Sequence, residues 1–315
     1  MLSSVICQIL GIRYPVFQGG MAWIADGTLA AAVSEAGGLG LVSSINYGPE
    51  AVREEIRKAR SLTSKPFGVN VMLAAPDAAK VAELIVEEGV KIVTTGAGTP
   101  APYMDMWKEA GIKVIPVVAS VAYALKVQEL GATAVIAEGA ESGGHIGEMH
   151  TMALVPQIVD AVDIPVLAAG GIFDGRGAAA AFMLGACGVQ LGTRFLSAKE
   201  CRIHPVYKER LIKASDIGTM VTGQSLHDAV RGLKTPFAKQ FAKMEADPAV
   251  SDEEIRAFGT GSLRKAVFDG DLARGSFLAG EVAGMIRKEE SAREIVEDIV
   301  NGASKLLADA CKKVI

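Results

Sequence analysis

One stretch concentrates residues able to do chemistry: Ala137-Glu138-Gly139-Ala140-Glu141-Ser142-Gly143-Gly144-His145-Ile146-Gly147. Three glycines surround a single histidine, and a carboxylate stands seven residues upstream of it. Glycine is used where backbone turns through positive φ or lies close to another molecule. An imidazole held there can exchange a proton near neutral pH. The stretch follows a β-like run, Thr133–Ile136, and precedes a helical pattern from Thr151, so it predicts a strand-end loop at the mouth of a site.

Other candidates share this placement. Ala168-Ala169-Gly170-Gly171-Ile172 and Gln190-Leu191-Gly192-Thr193-Arg194 end two later β-like runs. Their amides can converge on a phosphate, with the Thr193 hydroxyl and a following helix start as further donors. As a bland alternative, the glycines only make tight turns, but two such loops in succession favour phosphate. Asn70 offers a donor and an acceptor on one short amide, which suits the edge of a heterocycle; it is also an ordinary turn former. Glu138 is either a catalytic carboxylate or a residue that fixes the loop or a ligand, and we expect it to organise the site. His150, His204 and His227 sit in ordinary sequence and read as surface or structural residues.

These residues must be carried by a regular frame. Apolar β-like runs recur at Pro15–Gln18, Leu39–Ser43, Phe67–Met72, Lys91–Thr95, Lys113–Val118, Thr133–Ala137, Pro165–Ala169 and Gly188–Gly192. Strands apolar throughout belong to a parallel sheet covered on both faces. Helical patterns alternate with them, at Asp26–Ala36, Pro49–Ser61, Asp77–Glu88, Val121–Leu130 and Asp174–Leu184. Gly37, Gly89, Gly111, Gly131 and Gly185 stand where helix C-caps are expected. The pattern predicts an α/β fold, a (β/α)8 TIM barrel, with a doubly wound open sheet as the alternative. In a barrel the strand C-termini carry function, and here those ends are nearly all glycine or small polar residues. We expect a barrel core over 1–204, a small, mostly helical insertion or lid over 205–285, and a C-terminal segment, 286–315, closing the barrel. Its amphipathic helix, Ser291–Ile315, places Ile295, Ile299, Ala303, Leu306 and Leu307 on one face.

Composition narrows the function classes. The chain has 315 residues, half of them hydrophobic, and a net charge of −4. Such a mild charge gives no reason to expect nucleic acid or an anionic membrane as partner. Cys7, Cys187, Cys201 and Cys311 lie far apart without a C-x-x-C pair, which argues against a disulfide framework or a zinc site and fits a reducing compartment. The N-terminus has no signal-peptide pattern, and the most apolar run, Ala178–Leu191, is too short to span a bilayer. The expectation is a cytoplasmic protein with no membrane association. Rossmann, P-loop, H-E-x-x-H and G-x-S-x-G motifs are absent.

Taken together, Phe17-Gln18-Gly19-Gly20-Met21-Ala22-Trp23, Gly68-Val69-Asn70-Val71-Met72-Leu73, Thr94-Thr95-Gly96-Ala97-Gly98, Gly143-Gly144-His145-Ile146-Gly147 and the two phosphate-type loops resemble the 2-nitropropane dioxygenase-like flavoproteins. That superfamily holds nitronate monooxygenases and FabK-type enoyl-acyl-carrier-protein reductases. The FabK type is the better match, supported by Lys199-Glu200, His204-Pro205 and the tail Phe277-Leu278-Ala279-Gly280-Glu281-Val282-Ala283-Gly284. The resemblance implies an FMN-binding barrel, with Met21, Ala22 and Asn70 along the isoalloxazine and Glu138, Gly143 and Gly144 facing it. Gly170, Gly171, Gln190, Gly192 and Thr193 would then grip the remainder of the cofactor, and His145 would be catalytic. It also implies NADH or NADPH as co-substrate, acyl carrier protein as the partner bearing the enoyl group, and a homodimer, and it leaves a monovalent cation open. Glu281 departs from the glutamine expected in the tail and adds a charge there. The basic residues Lys199, Arg202, Lys208, Arg210 and Lys213 form either a docking face for an acidic carrier or a solvated helix face. Nitronate oxidation is the rival within this fold, and a non-catalytic phosphate-ligand sensor is the rival outside enzymes.

Overall fold

The computed structural model describes residues 2–45 and 48–310. Eight parallel strands form the central sheet: β1 (Val16–Gln18), β2 (Gly40–Ser43), β3 (Phe67–Met72), β4 (Ile92–Gly96), β5 (Lys113–Val118), β6 (Val135–Glu138), β8 (Val166–Ala169) and β9 (Gly188–Leu191), while β7 (Gly144–His145) lies outside it. Their order is β1-β9-β8-β6-β5-β4-β3-β2, and a Phe17–Leu39 bridge joins the two ends into a ring. This is a (β/α)8 barrel, as the continuous apolar runs require, and every expected strand is present with ends shifted by at most two residues. Between strands run the expected helices, among them Gly27–Glu35, Gly48–Leu62, Ala78–Glu87, Val121–Glu129 and Gly175–Met183. The five glycines expected as C-caps all have positive φ.

The barrel is packed inside and out. Phe17, Leu41, Ile92, Ile115, Ile136 and Leu167 meet in its interior, and Ile6, Cys7 and Leu10 of helix Val5–Leu10 pack against them as a plug. With the interior filled from that side, the ligand-sized space lies beyond the opposite strand ends. Helix Ala292–Asp309 packs on Gly175–Met183 and Gly27–Glu35. The approach is close enough that a Cβ on Gly175 would sit 2.4 Å from the Ala303 nitrogen. The last five residues of the expected C-terminal helix, Cys311 among them, lie outside the described residues.

Between barrel and C-terminal helix the segment holds, besides its helices, a short antiparallel hairpin. Strands β10 (Thr219–Thr222) and β11 (Val230–Leu233) form an antiparallel hairpin, and β11 pairs with β7. Helices Pro236–Ala246 and Asp252–Gly259 follow, around a small core of Leu226, Phe237, Phe241 and Ile255. Both hairpin strands are only partly buried apart from Leu233, so they lack the apolar signature by which the barrel strands are read. Among the described residues no helix is long and apolar enough to cross a membrane.

Candidate active site

A cavity of about 480 Å³ opens at the C-terminal ends of the barrel strands. All of the sequence-expected site residues line it. Met21 and Ala22 come from the turn after β1, Asn70 from β3, and Glu138 from the end of β6. Gly170 and Gly171 follow β8, Gln190 ends β9, and Gly192 and Thr193 follow it. Gly143, Gly144 and His145 complete the lining from above. Leu263, Leu278 and Val282 add apolar surface from the later chain, which carried no strand rhythm to announce them.

The polar groups are individually fixed. Asn70 donates its amide to Thr94 Oγ1 at 2.9 Å. Its oxygen lies over Gly20, where a Cβ would come within 2.3 Å, so only glycine fits beneath it. Gln190 is buried, and its Oε1 has no hydrogen-bond partner among the described residues. A buried acceptor without a donor is costly unless a ligand supplies one. Gly170 and Gly171 both turn through positive φ, at 88° and 71°, which aims their amides away from the strand direction. Thr193 Oγ1 accepts from the Gly280 amide at 2.8 Å and keeps its own proton to donate.

Charge in the cavity is all carboxylate and imidazole. Among the described residues no lysine or arginine lines it. Glu141 caps helix Thr151–Ala161, accepting from the Thr151 amide at 2.9 Å. Burial pushes the Glu138 carboxyl up to about 7, against the lowering effect of a Ser142 hydroxyl donated at 3.2 Å. Arg194, adjacent to the Thr193 turn, points away from the cavity; it pairs with Glu290 at 2.7 Å and lies over the Phe173 ring.

His145 is not on a free loop. It forms the two-residue strand β7, in register with Val230 of β11, and its Nε2 lies 3.1 Å from Asp228 Oδ1. Asp228 was invisible to spacing arguments because it reaches His145 only through the hairpin. Arg231, opposite Gly144, donates to the Ala140 carbonyl at 3.1 Å and pairs with Glu281 at 3.2 Å. Glu281 is therefore engaged by Arg231, and its own side chain does not line the cavity.

The remaining expectations divide. His204 caps helix Pro205–Ile212, its Nδ1 accepting from the Val206 amide, which is a structural role. The basic cluster is corrected: Lys208 is buried, donating to the Ala198 carbonyl and pairing with Glu289 at 2.7 Å. Lys199 and Lys213 pair with Glu294 and Glu209. The five do not form one free cationic face.

The chain is similar to known proteins along nearly its whole length. The nitronate monooxygenase family model matches residues 3–302. The structure of FabK from Thermotoga maritima superposes with a TM-score of 0.97 at 47% identity, covering 100% of both chains. A (3aS,4S,5R,7aS)-5-hydroxy-7a-methyl-1-oxo-octahydro-1H-indene-4-carboxyl-CoA dehydrogenase of Mycobacterium tuberculosis is 34% identical over 95% of each chain. A probable nitronate monooxygenase of Staphylococcus aureus is 31% identical over 96% of this chain and 98% of its own. The chain belongs to the nitronate monooxygenase family and is an oxidoreductase of that family.

Proposed function

We propose that the protein is an FMN-dependent enoyl-acyl-carrier-protein reductase, drawing electrons from NADH or NADPH. The observation that carries this reading is the end-to-end correspondence with FabK at 47% identity. Identity to the coenzyme A thioester dehydrogenase is 34% and to the probable nitronate monooxygenase 31%. The first of those relatives is itself named for a thioester substrate, which supports the same substrate class. Nitronate oxidation is the second reading, favoured by the family match.

The residues present fit a flavin. The cavity volume lies within the roughly 300–1,000 Å³ of cofactor and ligand sites. The unpartnered Gln190 Oε1 needs a donor such as a flavin ring N–H. The Asn70 oxygen offers a second acceptor, held in place by Thr94. Amides of Gly170, Gly171 and Gly192, with the Thr193 hydroxyl, suit a phosphate where no cationic side chain is supplied. Met21, Ala22, Gly143 and Gly144 let a flat ring lie close to backbone.

When bound, the flavin supplies hydride transfer from a reduced nicotinamide to the β-carbon of an enoyl thioester. The chain supplies the rest. His145 stands at the rim, where its ring can donate to the thioester oxygen as enolate charge develops, or pass a proton to the α-carbon. Glu138, its carboxyl raised by burial to about 7, accepts from Ser142 and organises the turn beneath His145. Leu263, Leu278 and Val282 exclude water from the acyl side. Exposed Arg210 remains available for an acidic carrier protein, whereas Lys208 is buried and Arg202 lies 3.8 Å from Asp26.

An anaerobic absorbance titration tests the cofactor half of this reading. The purified protein is expected to show flavin absorbance, bleached on addition of NADH or NADPH. A colourless protein that takes up no added FMN would reject it.

A further inference from the structure

The hairpin that carries β10 and β11 is anchored far more firmly than a surface turn requires. Glu245, on helix Pro236–Ala246, accepts from the amides of Gly223 and Ser225 at 2.9 and 3.1 Å and from the Ser225 hydroxyl at 3.1 Å. Arg256, on the next helix, donates to the Leu226 carbonyl, while the Leu226 side chain is buried with Phe237 and Phe241. Within the tip, the Asp228 amide donates to the Gly223 carbonyl at 3.0 Å. Gly223 turns through a φ of 82°, and a Cβ there would lie 2.2 Å from the Asp228 carbonyl oxygen. His227 is held at a φ of 54°, in the left-handed region that costs a non-glycine residue free energy. Each constraint converges on the direction in which Asp228 leaves the turn.

Asp228 points to one partner, His145 Nε2 at 3.1 Å. Both side chains are more than half exposed, at 54% and 59%, so the pair adds little to stability. A tip fixed by two helices to make a contact of little stabilising value calls for another use. We infer that Asp228 is a positioning residue: it accepts the Nε2–H of His145 and turns the Nδ1 edge of the ring towards the substrate. When the ring is doubly protonated, Nδ1–H is then the donor left for the thioester oxygen or α-carbon. The insertion thereby takes part in the site from outside the barrel, through β11, which pairs with β7 and carries Arg231 beside Gly144. This inference rests on the proposed role of His145.

The test combines a spectroscopic and a kinetic readout on the full chain. In histidine-selective 15N NMR of the cofactor-free protein, Asp228→Ala is expected to change the tautomer pattern of His145 while leaving His204 unmoved. In the flavin-loaded enzyme, Asp228→Ala should slow reoxidation by an enoyl thioester about tenfold or more, within the range for acid–base groups. Reduction by the nicotinamide should stay within about twofold, since that step does not use the proton. Asp228→Asn, which retains an acceptor oxygen, should recover most of the loss. In a His145→Ala background, Asp228→Ala should add no further loss. An unchanged His145 pattern, or an equal loss with and without His145, would overturn the assignment. If the wild type reduces no enoyl thioester but oxidises a nitronate, the substrate reading fails alone, and the same cycle measured on nitronate decides for or against Asp228.

Discussion

The Gly280 amide donates to Thr193 Oγ1 at 2.8 Å, tying together residues 87 positions apart. One position on, the Glu281 amide donates to the Glu141 carbonyl at 3.0 Å. The segment Ala279-Gly280-Glu281 is thus clamped between the turn after β9 and the loop that carries His145. Thr193 is oriented by this contact before any ligand arrives, with its proton left to give. Pre-set donors of this kind bind an anion without the cost of ordering them at the moment of binding.

That clamp predicts the behaviour of Gly143. An added Cβ would lie 2.6 Å from both the Ala279 carbonyl carbon and the Gly280 nitrogen, backbone atoms that cannot swing aside. Gly143→Ala should cost about 1–3 kcal/mol in stability and weaken FMN binding, because it pushes Gly280 off Thr193. Denaturant melts with an FMN titration check this. Unchanged affinity would separate the clamp from the cofactor site.

Arg194 has a different task from its neighbours in the same turn. Its guanidinium is 4% exposed and paired with Glu290, which sits just before the C-terminal helix. Arg194→Ala leaves Glu290, 14% exposed, with only the exposed Lys288 at 3.4 Å as partner, and should cost about 1–3 kcal/mol. Urea denaturation measures it. A loss below about 1 kcal/mol would show that the pair does not hold the turn.

Arg231 and Glu281 should respond unequally. Glu281 is 45% exposed and Arg231 12%. Glu281→Gln removes one half-exposed ion pair and should shift stability by less than about 1 kcal/mol, with FMN affinity unchanged. Arg231→Ala also strands the Ala140 carbonyl and should cost about 1–3 kcal/mol. If the two variants behave alike in thermal melts, the Ala140 bond is not what fixes the loop.

Glu138 gives the protein a pH signature. Its carboxyl is raised in the fold from 4.5 to about 7 by burial. The folded state therefore binds more protons than the unfolded chain between those values, and this group makes stability fall as pH rises through that window and level off above it. Glu138→Gln removes the slope. Relative to the parent, the cofactor-free variant should gain on the order of 2 kcal/mol between pH 5 and pH 8, at about 1.4 kcal/mol per pKa unit. Parallel stability curves for variant and parent would contradict the burial argument.

How far the site could be read from sequence follows from where its information lies. The barrel was legible because its strands are short and apolar on both faces, and five of the helices between them run into a glycine of positive φ, so local pattern and global packing agree. Asn70, Gln190 and the paired glycines were legible because strand ends in a barrel converge, whatever the loops do. Asp228 and Arg231 were not, since both act through pairing of β11 with a two-residue strand more than 80 positions earlier, as the Val230–His145 register shows. Lys208 misled for the opposite reason. Charge in a helix reads as surface, yet its amine is buried against Ala198 and Glu289.

The central claim is tested most directly by offering the purified, FMN-loaded protein NADH with a crotonyl thioester, or a nitronate in air, and recording turnover for the wild type and His145→Ala. The account predicts nicotinamide oxidation dependent on the thioester, little turnover of the nitronate, and a drop of about 10²-fold or more in the variant at full flavin occupancy. Turnover of the nitronate with no reduction of the thioester would contradict the reductase assignment. Undiminished thioester reduction by His145→Ala would contradict the role of the histidine.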